Sequence, residues 1–182
     1  MALITLAMST RVGTERHVVW KALTDPSQVP RWRPGHLCAL DPVEGYPRPG
    51  VRMRWRVKLH ELPVTLEDVP LDVVPEARLR STLALGLFRF EETFTLQETG
   101  AFRQTRLGLR ISAASEMPVV GGALDRFAVR RFATDLASSY LQAIRDWCEC
   151  GVATKGTLSL PLNLGDSAWG HGPRDQRAST AR

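Results

Sequence analysis

A chain of 182 residues, 43% hydrophobic and 24% charged, has the composition of a single globular domain, which excludes an intrinsically disordered class. No apolar run approaches the ~18 residues of a membrane span. A net charge of +5, with Arg far outnumbering Lys and no basic motif interleaved with aromatics, argues against nucleic acid as a partner.

The opening MALITLAMSTR has no basic residue ahead of its apolar stretch and no small-residue cleavage site, so it reads as a strand rather than a leader. The cytoplasm is therefore the expected compartment. Three cysteines (Cys38, Cys148 and Cys150) make no disulfide framework, and their odd number fits a reducing environment. Cys148 and Cys150 form a C-x-C pair, but no His or Cys follows at zinc-ligand spacing. Neither a metal nor a cofactor is expected.

Residues 2–12 alternate apolar and polar as a first strand does. A helix should follow from Gly13-Thr14, with Thr14 as its N-cap and Val18, Val19, Ala22 and Leu23 on its apolar face. It should stop at Thr24-Asp25-Pro26, because a proline disfavours helical geometry in the residue before it. A second short helix is expected over Ser27 to Trp32, ending at Pro34-Gly35. In VRMRWRVKLH, Val51, Met53, Trp55, Val57 and Leu59 then face one way, while Arg52, Arg54, Arg56, Lys58 and His60 face the other. Residues 64–74 and 77–85 read as two more strands, with Pro70 and Pro75 blurring their limits. LFRFEETFTLQET puts Phe88, Phe90, Phe94 and Leu96 on one face, and Thr105, Leu107, Leu109 and Ile111 line another strand after the turn at Thr99-Gly100. Consecutive amphipathic strands joined by short turns predict an antiparallel meander.

Pro118 and Gly121-Gly122 close the sheet region, and one long helix is predicted from about Ala123 to Glu149. Val129, Phe132, Leu136, Tyr140, Ala143, Ile144 and Trp147 form its apolar side. Gly151 suits a helix stop, and residues 151–182 have the composition of a flexible tail. The expected fold is α+β: a curved antiparallel sheet of six to seven strands around a long C-terminal helix. One helix ~10 Å wide cannot fill the concave side of such a sheet. A hollow is therefore expected, lined by Trp55, Phe88, Phe90, Phe94, Leu107, Leu109, Phe132, Leu136 and Tyr140, and such a hollow is the usual form of a small-molecule site.

The string Val19-Trp20 … Leu23-Thr24-Asp25-Pro26 … Trp32, followed by the meander and the final helix, resembles the START/Bet v1-like (SRPBCC) helix-grip proteins. Within them it is most similar to the polyketide cyclase/dehydrase and lipid-transport group. The resemblance covers about residues 2–150, giving a ligand-binding domain over 1–150. It implies a cavity for a hydrophobic ligand, entered near the loop before the last helix. It implies no single reaction, since carriers, cyclases, hydrolytic or aromatase-type enzymes and co-chaperones share the fold.

Glu92 shares the inward face with Phe88, Phe90 and Phe94. It reads either as a ligand-contacting acid whose pKa burial raises, or as a carboxylate paired with a structural arginine, or as the mark of a bulge at Glu91-Glu92. Tyr140 either offers its hydroxyl to a ligand or packs its ring. Trp32 and Trp55 flank the cavity mouth or fill core. His36 and His60 show no partner at triad or metal spacing, and Ser81 and Ser112 lack a nucleophile-elbow context. No catalytic constellation emerges beyond Glu92 and Tyr140 as candidates.

The stripe Arg52, Arg54, Arg56, Lys58, extended by Arg78, Arg80, Arg106 and Arg110, belongs on the outer face. It reads either as a solvated surface balanced by Glu67 and Glu91, or as a contact for anionic lipid headgroups or an acidic carrier protein. The leading functional reading is a carrier for a lipid, polyketide or aromatic compound. A cyclase or dehydratase acting in the same cavity is the alternative.

Overall fold

The computed structural model describes residues 3–59, 61–86, 88–100, 103–114, 126–151 and 153. The side chains of Phe88, Val129 and Phe132 lie outside the described residues, as do His60, Pro118, Gly121-Gly122 and nearly all of 151–182. In chain order the elements are β1 (Leu3–Val12), α1 (Arg16–Thr24), α2 (Val29–Trp32), β2 (His36–Ala39), β3 (Met53–Leu59), β4 (Leu62–Val74), β5 (Arg78–Leu85), β6 (Phe88–Glu98), β7 (Thr105–Ala114) and α3 (Arg126–Cys150).

One antiparallel seven-stranded sheet has the order β1-β7-β6-β5-β4-β3-β2. Successive hairpins build it from β2 to β7, and β1 closes the far edge beside β7. Between β1 and β2 the chain must cross from one edge to the other, and α1 and α2 make that crossing. The curved sheet wraps α3, which packs against β1, α1, α2 and β7.

Period-2 alternation decides which side chains reach the core. Met53, Trp55 and Val57 of β3 are buried, and so are Leu79 and Leu83 of β5, Phe94 and Leu96 of β6, and Leu107, Leu109 and Ile111 of β7. Pro70 sits inside β4 without ending it, because the register shifts between Pro70 and Asp72, and a bulge removes the demand for a ladder N–H. On α3, Leu136, Ala137, Tyr140, Leu141, Ala143 and Ile144 turn inward, as the 3.6-residue period requires.

Three local features differ from the expected pattern. The N-cap of α1 is Glu15, one residue after the expected Thr14: the Thr105 hydroxyl donates to the Thr14 carbonyl at 2.8 Å, and Glu15 is an extended N-cap with no side-chain cap bond. α2 begins at Val29, because Asp25 organises the preceding turn by accepting from Ser27 N–H (2.9 Å), Ser27 O–H (2.6 Å) and Gln28 Nε2 (3.2 Å). β2 is a strand of four residues, too short to show an alternation, and a register shift between His36 and Cys38 obscures it further.

Trp32 ties the layers together. Its indole N–H donates to the Ala22 carbonyl at 2.7 Å, and its ring meets Phe94 and Tyr140 edge-on at 6.4 and 6.1 Å. At the other end of α3, Trp147 Nε1 donates to Gln28 Oε1 at 3.1 Å, and Gly13 N–H donates to Glu149 Oε1 at 2.5 Å.

Candidate functional site

Three polar residues of the sheet share the inward parity of the core. Glu92 on β6 stands directly across from Ser81 on β5, and Asp68 lies on β4 between Leu66 and Pro70. All three are buried. Arg33, the residue that ends α2, reaches in to meet them. Its Nη2 donates to both Glu92 oxygens at 2.6 and 2.5 Å, and its guanidinium lies 4.7 Å from the Tyr140 ring centroid.

A second pair stands beside the first. Tyr46 donates its hydroxyl to Asp68 Oδ2 at 2.9 Å, and the Tyr46 and His36 rings each meet Trp55 edge-on at 5.8 Å. Five buried polar atoms of this cluster have no partner in hydrogen-bond geometry: Arg33 Nε, His36 Nε2, Trp55 Nε1, Asp68 Oδ1 and Ser81 Oγ. The Ser81 hydroxyl and Trp55 indole are still near enough to help draw the Asp68 pKa down.

Burial works against charge on Arg33, but Glu92, Tyr140 and Asp68 together outweigh it and the guanidinium stays a cation. Burial pushes Glu92 up, and contact with Arg33 opposes that rise. Burial pushes Asp68 up as well, opposed by Arg33 and by the Tyr46 hydroxyl. One cation thus faces two carboxyls, and a proton held by the cluster belongs on Asp68, the acid without a hydrogen bond from Arg33. Burial and the nearby Arg33 charge hold His36 well below its ordinary value, so its ring is neutral. Tyr46 and Tyr140 are raised by burial and remain protonated.

Towards the β3–β4 and β5–β6 turns the inner face changes character. Leu59, Val64, Leu85 and Phe90 continue the inward parity, yet they are only half-buried against the core. They form an apolar rim at this end of the sheet, with Leu62 beyond them 67% exposed.

Of the residues expected to line a hollow, Trp32, Trp55, Phe94, Leu107 and Leu109 are at most 1% exposed. Tyr140 and Leu136 are buried too, and Phe90 lies on the rim. The Arg33–Glu92 and Tyr46–Asp68 pairs occupy the interior among them. Arg33, Tyr46, Asp68 and Ser81 carried no expected role from sequence. Asp68 and Ser81 were legible as inward-facing by parity, whereas Arg33 and Tyr46 lie in segments without periodicity. Among the described residues, no group of three or more His, Cys, Asp or Glu could hold a metal ion, and no helix is long and apolar enough to cross a membrane.

A seven-stranded sheet gripping one long helix, with short helices bridging its edges, defines the START/Bet v1 helix-grip class. The chain belongs to the family described as polyketide cyclase/dehydrase and lipid transport, whose model matches residues 4–146. Among solved structures it is similar to a START superfamily protein from Mycobacterium smegmatis, with 16% identity, 78% of this chain and 94% of that one covered, and a TM-score of 0.61. It is also similar to MLL2253 from Mesorhizobium loti (19% identity, 79% and 95% covered, TM-score 0.61) and to Ara h 8.0201 (10% identity, 81% and 98% covered, TM-score 0.63). At these identities the likeness is one of fold. No curated protein matches the chain in sequence.

Proposed function

We propose that the protein binds a hydrophobic small molecule, a lipid, polyketide or aromatic compound, between the inner face of the sheet and α3, and acts as its carrier. The observation that carries this reading is the apolar rim. Leu59, Val64, Leu85 and Phe90 stand half open at one end of the inner face, next to a buried core. Each methylene of a ligand buried there contributes about 0.8 kcal/mol. The deeper polar atoms, already stripped of water, supply hydrogen bonds to a polar end once the interior opens. The binding unit is residues 1–150, with 151–182 as a tail. The unpaired thiols Cys38, Cys148 and Cys150 fit a cytoplasmic setting.

A fluorescence titration with the neutral apolar probe N-phenyl-1-naphthylamine tests this reading. Saturable binding is expected, weakened at least about tenfold by Phe90→Arg, since a charge on the rim must be desolvated when the ligand seats. Absence of saturation, or equal binding by the variant, would overturn it.

Asp68 favours a second reading, a cyclase or dehydratase. A buried carboxyl whose pKa burial raises, bonded to the Tyr46 phenol, is placed to give or take a proton. Glu92 suits that task less well, because Arg33 clamps both of its oxygens. Under this reading Asp68→Asn abolishes turnover of a polyketide-type substrate and leaves probe binding intact. Under the carrier reading neither property depends on the Asp68 proton.

A further inference from the structure

The outer face of the sheet carries a groove of about 550 Å³ that the inner site does not use. The registers of β4, β5, β6, β7 and β1 place Asp72, Arg80, Thr93, Arg110 and Ala7 in one row across the strands. Arg78, Thr95, Gly108 and Ser9 form the next row. Small residues therefore make the floor, with Arg78 and Arg80 on one wall and Arg110 on the other. Gly108 keeps the floor low: a Cβ there would stand 2.5 Å from Thr95 Oγ1.

The charges are unevenly matched. Arg78 is neutralised by Asp72, with contacts of 2.7 and 2.6 Å, and Arg80 meets Glu91 more loosely at 3.4 Å. Arg110 has no carboxylate within 4.0 Å among the described residues. Two rows along β7 from Arg110, Arg106 faces Arg11 directly across the ladder, a like-charge pair that destabilises a sheet unless an anion lies nearby.

We propose that this groove binds a small molecule bearing a phosphate or sulfate group, seated over Thr93 between Arg80 and Arg110. Two guanidinium groups approaching from opposite sides suit a tetrahedral oxyanion better than a planar carboxylate, and the Thr93 hydroxyl adds a donor from below. The volume falls within the range of small-ligand sites. Concavity, and the carboxylates of Asp72 and Glu91 on one wall, disfavour a flat anionic membrane as the occupant.

Inorganic pyrophosphate is the probe, followed by NMR of the arginine Nε–H groups and of the Thr93, Thr95 and Gly108 amides. The expected result is saturable binding that shifts Arg80, Arg110 and those amides together. Arg110→Gln and Thr93→Val should each weaken it, the former about tenfold, while Arg52→Gln, elsewhere on the same face, should not. Binding should also fall as salt rises. All of these positions are on the outer face, so thermal melting will confirm that the variants remain folded. The proposal is overturned if nothing saturates by about 10 mM, if Arg52→Gln weakens binding as much as Arg110→Gln, or if only vesicles containing phosphatidylglycerol shift these signals. The last outcome would mark a membrane-facing surface instead.

Discussion

Arg33 and Glu92 show how a charged pair survives inside a core. Each group would be expelled alone, but two short hydrogen bonds and the Tyr140 ring offset the loss of water. Arg33→Ala should cost about 3–5 kcal/mol in urea unfolding, because it strands the Glu92 charge. An Arg33→Met/Glu92→Met double variant should recover most of that loss, since pairs of this kind are often no more stabilising than well-packed apolar residues. Asp68 makes a separate prediction. Burial raises its pKa above 3.8, so the folded chain holds this proton more tightly than the unfolded one. Its contribution is fully present below 3.8 and is lost as pH rises through the folded value. The stability difference between the wild type and Asp68→Asn should therefore shrink or reverse from pH 4 towards neutrality, read as thermal midpoints across pH. His36 acts in the opposite sense, costing stability as pH falls below 6.5, but both proteins share it and it cancels in the difference.

Among the elements, Trp32 is the residue on which α2, β6 and α3 converge. Trp32→Ala removes a filled volume and an indole hydrogen bond, and should destabilise the protein by about 3–5 kcal/mol in the same unfolding assay. The strands and α3 were legible in the sequence because alternation and 3.6-residue periodicity persist over many residues, as in Met53–Leu59 or Leu136–Ile144. β2 was not, since four residues with a bulge carry no period. The start of α1 was misplaced because Thr14 bonds to Thr105, far away in the chain, and not to the helix it precedes. Glu92 was legible as inward-facing, and pairing with a structural arginine was one of its expected readings. Which arginine was not legible, because Arg33 reaches the sheet from the end of a four-residue helix.

The whole molecule has two faces with different chemistry. Inside the sheet, closed core gives way to an apolar rim; outside, arginines surround a shallow floor. If the inner face is the carrier site, native mass spectrometry of protein purified from its own host should show a retained small molecule. That adduct should be absent from the Phe90→Arg variant and unaffected by Arg110→Gln. The most direct test of the central claim is methyl NMR of the protein titrated with N-phenyl-1-naphthylamine. We expect shifts concentrated on Leu59, Val64, Leu85 and the inward side of α3, with Thr93, Thr95 and Gly108 unmoved. Shifts confined to the outer face, or none at any probe concentration, would contradict a ligand site between sheet and helix.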